Sequence, residues 1–280
     1  MSSGIGTPEA GRRARARAAV ASALLLWGSS ADAQSYTIVD TGQATCYDTD
    51  GRAVTCTAQG RLSGQDGQHA GRQPRYRDNG DGTVNDLNTG LMWQQSPGEK
   101  VTWPEAVAAT ASVRTGGYSD WRLPTIKELY SLIDFSGVTG MSAADSTPYI
   151  DTDFFDFSYG DPALGERHID AQYCSSTEYV STTMNGDHTV FGVNFADGRI
   201  KGYGTVTPRG AKTFFALYVR GGSGYGRNDF VDNGDGTITD RATGLMWTRA
   251  DSGTGMDWED ALAWVEQCNL ESYGGHSDWR

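Results

Sequence analysis

The chain contains one pattern of motifs twice, and this repetition constrains its fold more than any other feature. Segments that recur in the same order at an almost constant offset indicate repeated structural units. The pairs are DNGDGTVND at 78–86 with DNGDGTITD at 232–240, TGLMW at 89–93 and again at 243–247, WPEA at 103–106 with WEDA at 258–261, and SDWR at 119–122 and again at 277–280. We therefore predict a tandem repeat. Residues 75–221, here segment A, hold a complete unit, and residues 228–280, here segment B, hold a truncated second copy.

The N-terminal residues have the pattern of a secretory signal peptide. Four arginines lie between residues 12 and 17, an apolar run follows at 18–27, and Ala-Asp-Ala stands at 31–33. This order of charged, apolar and small residues predicts cleavage after residue 33. The apolar run is shorter than the roughly 20 residues that a transmembrane helix needs, and no later segment is apolar enough. We expect an exported protein, periplasmic, cell-surface or secreted, with no transmembrane segment after cleavage.

The charge of the chain narrows the range of partners. The formal net charge is −12, and without residues 1–33 there remain 19 basic and 33 acidic residues, which gives −14. Such a surface repels other polyanions. We therefore expect no binding to nucleic acid and weak or no binding to sulfated polysaccharides. Divalent cations, basic partners and neutral sugars remain compatible with this charge.

Two shorter segments flank the complete unit. Residues 34–74 form an N-terminal segment, in which Cys46 and Cys56 flank the turn-like sequence DTDG. Disulfides persist in exported proteins, so we predict a Cys46–Cys56 bridge. Residues 222–227 (GSGYGR) are rich in glycine and predict a short linker between segments A and B.

The local pattern of segment A predicts an α+β domain. The NGDG turn favours a β-hairpin, and Thr102 and Thr125 are predicted N-caps of two helices, with Trp103, Ala106, Val107 and Ala111 on the inner face of the first. Residues 136–170 have no helical period and predict a long irregular loop. Alternating and apolar runs then predict an antiparallel sheet, including a central strand over residues 214–219. In segment B we expect Trp258, Leu262, Trp264 and Val265 to be partly exposed.

Motifs throughout segment A resemble the Lcl C-terminal domain family, a domain of unknown function named for a collagen-like adhesin. The matching motifs are DNGDGTV at 78–84, GLMW at 90–93, GGYSDWRLPT at 116–125, KEL at 127–129, SST at 175–177, VNF at 193–195 with DG at 197–198, and YVRG at 218–221. The resemblance implies a C-type-lectin-like fold, more distantly similar to the formylglycine-generating enzyme. It also implies that the long loop carries the binding site.

The long loop supplies the candidate site residues. The carboxylates of Asp151, Asp153, Asp156 and Asp161 are hard oxygen ligands outside regular structure and suggest a Ca²⁺ site. The alternative is a solvated loop whose phenylalanines pack on the core. Exposed aromatic side chains such as Tyr149 and Tyr159 would stack on a sugar or peptide.

Three further charged patterns also have structural explanations. The run at 78–86 invites an EF-hand interpretation, but two of the required carboxylates are missing and a hairpin accounts for it. Glu166, His168 and Asp170 alternate and would share one face of a strand. They would form either a metal or acid–base cluster or a solvated face. The Asp120 and Arg122 side chains beside Trp121 suggest a structural ion pair.

The sequence predicts a protein that is not an enzyme. It contains no metalloprotease motif, no nucleophile elbow and no phosphate-binding loop. Cys174 falls on a predicted core strand, where a thiol is inert. We expect an exported binding or adhesion module that recognises extracellular carbohydrate or protein. The alternatives are a structural envelope-assembly repeat protein and, third, a divergent enzyme of the formylglycine-generating type.

Overall fold

The computed structural model describes Met1 and residues 36–56, 60–183, 186–208 and 210–280. The predicted signal peptide, residues 1–33, therefore lies outside the described residues except for Met1. All elements below belong to the compact unit Ala33–Arg280. Within the described residues, no helix combines the length and the apolarity that crossing a membrane requires.

The described residues form a mixed α/β structure of three α-helices and several antiparallel sheets. The helices are α1 (Trp103–Ala109), α2 (Ile126–Tyr130) and α3 (Trp258–Leu270). The strands are β1 (Cys46–Tyr47), β2 (Ala53–Val54), β3 (Tyr76–Asp78), β4 (Thr83–Asp86), β5 (Met92–Gln94), β6 (Val101–Thr102), β7 (Gln172–Thr183), β8 (Asp187–Asn194), β9 (Arg199–Gly204), β10 (Val206–Thr207), β11 (Gly210–Ala211), β12 (Thr213–Phe214), β13 (Val219–Arg220), β14 (Phe230–Asp232), β15 (Thr237–Asp240) and β16 (Leu245–Thr248).

The predicted hairpin joins β3 to β4. Gly80 and Gly82 have φ angles of 74° and 80°, which glycine adopts without steric cost. The Asp78 side chain accepts the Gly80 N–H at 2.8 Å, so this carboxylate stabilises the turn. In segment B, β14, β15 and β16 pair in the corresponding antiparallel registers. The similar sequences therefore give three strands with the same pairing in both segments.

The predicted caps of the two helices in segment A are confirmed. The Thr102 N–H donates to Glu105 Oε2 at 2.9 Å before α1, and the Thr125 N–H donates to Glu128 Oε2 at 2.8 Å before α2. Two details of α1 were wrong. Ala106 is fully buried, but Val107, predicted on the same inner face, is exposed, because the helix rests on the core along a narrow stripe. Ala111, also predicted on that face, lies beyond the end of the helix at Ala109 and is exposed.

The second half of segment A forms the sheet β7–β8–β9. The continuous strand predicted over residues 214–219 is instead divided into β12 and β13, although Phe214 to Val219 are all buried. Its ends belong to different sheets, since β12 pairs with β6 and β13 pairs with β5. Between them Phe215 accepts the Cys174 N–H at 3.0 Å, so the chain crosses from one sheet to the next.

Two clusters of buried side chains hold segment A together. The long loop contributes Phe155 and Ile150 to the larger cluster, so its phenylalanine-rich part is anchored on the core. Members of the larger cluster include Val84, Leu91, Trp93, Leu129, Tyr173, Phe195 and Val219, and members of the smaller one include Ala106, Trp121, Cys174, Phe214 and Tyr218.

The N-terminal segment contacts both segment A and segment B. The predicted Cys46–Cys56 disulfide is present, with Cα atoms 5.1 Å apart. Thr41 accepts the Phe135 N–H at 2.7 Å, and the Tyr36 N–H donates to the Ala242 carbonyl at 3.0 Å. The Arg61 guanidinium pairs with Glu259 and Asp260 of α3.

The apolar side chains named for α3 are only partly covered, as expected: Trp258 is 45% exposed, and Leu262, Trp264 and Val265 are half-buried. Trp247 is 53% exposed. Trp93, which corresponds in sequence to Trp247, is completely buried. The two segments therefore contain similarly paired strands but differ in the residues that pack on them.

Candidate functional site

The long loop uses its acidic side chains to make local turns. Asp151 Oδ1 accepts the Asp153 N–H at 3.0 Å, and Asp161 Oδ1 accepts the Ala163 N–H at 2.8 Å. Asp153, Asp156 and Asp161 are exposed, and Asp151 is half-buried. Burial raises the pKa of Asp151, and the nearby carboxylates of Asp153 and Asp134 raise it further, against the lowering effect of the Asp153 N–H.

The four predicted calcium ligands do not converge. Across the described ranges, no group of three or more His, Cys, Asp or Glu side chains is placed to hold a metal ion. The calcium hypothesis therefore depends on a rearrangement of this loop on binding.

Tyr149 and Tyr159, the predicted stacking residues, are half-buried. The Tyr149 ring lies edge-on to Phe135 at 6.0 Å, and its hydroxyl lies 3.2 Å from Thr139 Oγ1. The Tyr159 ring lies edge-on to Phe157 at 4.9 Å. Both rings pack against other side chains of the protein, which leaves less of their surface available to a ligand.

A cluster of charged side chains connects the end of the long loop to Lys100, which precedes β6. Lys100 Nζ lies 2.5 Å from Glu166 Oε2 and 2.5 Å from the Asp170 carbonyl oxygen. Arg167 donates to both oxygens of Asp170. Although burial opposes ionisation, the hydrogen bonds from Arg167 and Gln172 lower the pKa of Asp170 to about 2.

This cluster corrects one prediction. Glu166, His168 and Asp170 lie on an irregular segment that precedes β7, so they share no strand face. Glu166 faces Lys100 and Asp170 faces Arg167. The carboxylates are paired with cations of the protein, which accounts for them without a metal.

Cys174 lies on β7 with no exposed surface. Burial raises the pKa of its thiol to about 12, so it is protonated at neutral pH. A thiol of this kind is a poor nucleophile and a poor metal ligand, because both roles require the thiolate.

The SDWR motif also differs from its predicted pairing. Asp120 and Arg122 do not pair with each other, because they point to opposite neighbours. Arg122 makes two hydrogen bonds of 2.7 and 2.6 Å to the buried Glu128 carboxylate, and Asp120 pairs with Arg220 at 2.7 Å. Trp121 is buried between them, as predicted, with its Nε1–H donating to the Thr115 carbonyl at 3.2 Å. The motif is structural in segment A.

The structure instead reveals an apolar cleft between α2, the N-terminal segment and the sheet of segment B. Its volume is about 890 Å³. We call it the aromatic cleft, because several aromatic side chains line it together with aliphatic ones. The aromatic members are Tyr36, Tyr130, Tyr225, Phe230 and Trp247, and the aliphatic members include Ile38, Ile126, Ile133, Ile238 and Leu245.

Contacts between the elements shape this cleft. The rings of Tyr36 and Tyr225 lie 4.9 Å apart, and burial raises the pKa of Tyr225 to about 12 although a hydrogen bond with Ser131 opposes the rise. Lys127 donates to the Gly226 carbonyl at 2.9 Å and to Asn228 Oδ1. The predicted linker, residues 222–227, therefore forms part of the wall of the cleft.

Polar groups at the edge of the cleft are largely bonded within the protein. Burial alone would raise the pKa of Asp240, but hydrogen bonds from the Asp229 and Ala242 N–H groups and from the Asn228 and Thr243 side chains lower it. Lys127 is bonded as well. What the cleft offers a ligand is therefore chiefly apolar and aromatic surface.

The aromatic cleft was not predicted from the sequence. Trp247 and Leu245 match Trp93 and Leu91 of the core, and this match gives no sign of a binding surface. The nearest signal was the partial cover predicted for Trp258, Leu262, Trp264 and Val265, and none of these side chains lines the cleft. Tyr36 and Tyr225 lie in segments of irregular sequence, and only the folded chain brings them to Trp247.

Comparison with known proteins gives one family. Searches of curated proteins and of solved structures gave no match. The profile of the Lcl C-terminal domain matches residues 82–220 and 236–280, which include most of segment A and most of segment B. Each matched stretch contains the second strand of the hairpin, the TGLMW motif, the helix that follows it and the SDWR motif of its segment. The chain therefore belongs to the Lcl C-terminal domain family.

Proposed function

We propose that this chain is an exported, non-enzymatic binding module that recognises an extracellular carbohydrate or protein through the aromatic cleft. The observation that carries the proposal is the convergence of five aromatic side chains on one cleft of about 890 Å³. Concave, mostly apolar sites with a few polar groups are typical of ligand binding.

The exposed face of Trp247 is the main binding surface in this proposal. Trp247 and Phe230 keep 53% and 60% of their surface open to solvent. Removing large aromatic faces from water is among the strongest sources of binding energy at interfaces. A ligand that fits offers a flat apolar surface, which is either the apolar face of a sugar ring or an apolar side chain of a protein.

The N-terminal sequence and the Cys46–Cys56 disulfide support export, because disulfides persist outside the reducing cytosol. Family membership and the order of two helices, a long loop and a sheet support a C-type-lectin-like unit in segment A. The shared hairpin sheets support a tandem repeat. Under this proposal the long loop is not the principal site.

A structural role in envelope assembly is the second candidate, and one observation favours it. The N-terminal segment contacts segment B through Tyr36 and through the pairs of Arg61 with Glu259 and Asp260. Such contacts hold repeated units at a fixed spacing. A divergent enzyme is the weakest candidate, because Cys174 is buried and protonated.

An array that carries both glycans and purified extracellular proteins tests the proposal. Saturable binding that is lost in Trp247→Ala supports it, and EDTA in a parallel arm tests for calcium. Absence of binding across both classes would favour the structural role.

A further inference from the structure

Segment A and the linker enclose a second cavity, with a volume of about 570 Å³. Its walls are the end of α1, the residues before α2, α2 itself, the middle of β7 and residues 223–227. We call this cavity the linker pocket. Every residue that lines it lies between Val107 and Arg227, so the complete unit and the linker are sufficient to build it. A cavity of this volume is typical of sites for small molecules.

Part of the wall is apolar and has a fixed position. Leu123 and Ile126 line the pocket together with Val107 and the half-buried ring of Tyr225. Leu123 belongs to the smaller buried cluster, and Ile126 packs against the larger one. Both clusters therefore hold this surface in place, and it can remove the apolar body of a ligand from water.

The rest of the wall carries a local excess of positive charge. Arg122, Lys127 and Arg227 line the pocket with one carboxylate, Glu128, although the formal net charge of the chain is −12. Arg122 neutralises Glu128 through two hydrogen bonds of 2.7 and 2.6 Å. Arg227 is exposed and forms no ion pair within the described part of the chain. Lys127 and Arg227 are therefore the charges that a ligand meets.

Hydroxyl groups of the wall are placed as hydrogen-bond donors. Thr125 Oγ1 accepts the Glu128 N–H at 3.2 Å, and Thr177 Oγ1 accepts the Ile126 N–H at 3.0 Å. Because each oxygen acts as an acceptor in these bonds, its O–H group is left to donate. Ser223 adds an exposed hydroxyl. The polar part of the wall therefore suits a ligand with acceptor oxygens.

The same groups disfavour a ligand with an ammonium group. Among the described residues that line the pocket, Glu128 is the one carboxylate, and it is completely buried. Both of its oxygens accept hydrogen bonds from Arg122. The Gly226 carbonyl, also on the wall, accepts a hydrogen bond from Lys127 at 2.9 Å. A ligand cation would therefore meet other cations and acceptors that are already bonded.

We propose that the linker pocket binds a small monocarboxylic acid with an aromatic or branched aliphatic body. The carboxylate of the ligand accepts hydrogen bonds from Arg227 and from the hydroxyls of Thr125 and Thr177. Its apolar body packs on Leu123 and Ile126. This site goes beyond the proposed function, because it takes a different class of ligand in a cavity that segment A and the linker form.

Phenylacetate is the probe for this site. It is titrated into the 280-residue chain labelled with nitrogen-15, and the amide chemical shifts are followed by NMR. We expect saturable shifts at residues 125–127 and 223–227. Phenylacetamide has the same shape without the charge and should bind at least about tenfold more weakly. Acetate lacks the apolar body and should also bind at least about tenfold more weakly.

A variant of the unpaired arginine tests the charge contact from the side of the protein. Arg227→Gln should weaken phenylacetate binding by about fivefold. Arg114→Gln is the matched control, because Arg114 is an exposed arginine that does not line the pocket and the change in net charge is the same. We expect this control to bind phenylacetate like the wild type. Unchanged amide shifts in β7 and β8 show that each variant remains folded.

A further arm separates the linker pocket from the aromatic cleft, since Ile126, Lys127 and Tyr225 line both. Trp247→Ala alters the cleft alone and should leave the affinity for phenylacetate within about twofold of the wild type. Loss of glycan or protein binding in this variant concerns the cleft and not the linker pocket.

Four results would overturn the proposal. The first is no saturable shift at the residues of the pocket, and the second is equal affinity for phenylacetate and phenylacetamide. The third is equal affinity of Arg227→Gln and Arg114→Gln for phenylacetate. The fourth is loss of phenylacetate binding in Trp247→Ala, because the acid would then bind in the aromatic cleft.

Discussion

The Glu128 side chain is buried, and a small number of hydrogen-bonding partners stabilise its carboxylate. Arg122 binds both carboxylate oxygens, and the Thr125 N–H donates to one of them at 2.8 Å. This arrangement joins the SDWR motif to the start of α2. A single carboxylate thus serves as helix cap and as ion-pair partner.

Glu128→Gln should lower the free energy of unfolding by about 3 kcal/mol, because it leaves Arg122 without its buried counter-charge. Urea denaturation measures the change. Asp120→Asn is the matched control: its pair with Arg220 lies at the surface, so we expect a much smaller loss. Equal losses in the two variants would contradict the burial argument.

The lowered pKa of Asp170 makes the stability of the fold depend on pH. Its pKa is lowered to about 2 by Arg167 and Gln172 in spite of burial, whereas the unfolded value is near 4. A group with a lowered folded pKa stabilises the fold above its unfolded pKa. That contribution, on the order of 1–2 kcal/mol after allowance for screening, is lost as the pH falls from about 4 to about 2.

Asp170→Asn should remove this part of the acid dependence. The free energy of unfolding is measured between pH 6 and pH 2, and the difference between wild type and variant should shrink across the window from pH 4 to pH 2. Asp153→Asn, an exposed carboxylate of the same loop, is the control and should preserve the wild-type slope. If the free energy of unfolding of Asp170→Asn falls with pH as steeply as that of the wild type, another group causes the acid sensitivity.

At the scale of elements, the hairpin and the turn after α1 depend on each other through glycines. Gly116 has a φ of 61°, and a Cβ there would lie 2.9 Å from both Asp81 Oδ2 and Thr83 Cγ2. Gly117 has a φ of 79°, but a Cβ there would meet nothing within 4 Å. Substitutions at Gly116 and Gly117 therefore distinguish the cost of the positive φ angle from the cost of a steric clash.

Both alanine variants are expected to lose stability from the positive φ, by roughly 1–2 kcal/mol. Gly116→Ala should lose at least about 1 kcal/mol more than Gly117→Ala, because the hairpin must move to admit the methyl group. Parallel urea denaturation of the two variants measures the difference. The opposite ranking would show that the turn is not packed on the hairpin.

Local elements of this fold follow from the sequence because their causes are local. The NGDG turn and the Thr125–Glu128 cap each depend on residues a few positions apart. The division of residues 214–219 into β12 and β13 depends on two strands more than a hundred residues upstream. Likewise, Arg122 alone gives no sign that its partner is Glu128 and not Asp120.

At the scale of the whole molecule, the N-terminal segment connects segment A to segment B. Thr41 bonds to Phe135, which immediately precedes the long loop, and Tyr36 bonds to Ala242. Gln65 bonds to both the N–H and the carbonyl of Tyr47, beside the Cys46–Cys56 disulfide. The candidate cleft could not be predicted from the sequence, because three separate segments build its walls.

Cys46→Ser/Cys56→Ser should destabilise the N-terminal segment by about 2–3 kcal/mol, because the open chain gains conformational entropy. Hydrogen exchange at the Tyr47 amide, which Gln65 binds at 2.8 Å, reports this local opening. Ala53→Ser, an exposed change in the same loop, is the control and should leave the exchange rate unchanged. Unchanged exchange in the double variant would mean that packing alone holds the segment.

The proposed function requires the aromatic cleft to bind the ligand. Trp247 and Trp258 are similarly exposed residues of segment B, but only Trp247 lines the cleft. The most direct test compares the wild type, Trp247→Ala and Trp258→Ala on one array of glycans and extracellular proteins. We predict that Trp247→Ala loses binding by at least about tenfold, or about 1.4 kcal/mol, while Trp258→Ala binds like the wild type. Retained binding in Trp247→Ala, together with loss of binding in Tyr159→Ala, would contradict the proposal. That result would indicate that the long loop carries the binding site.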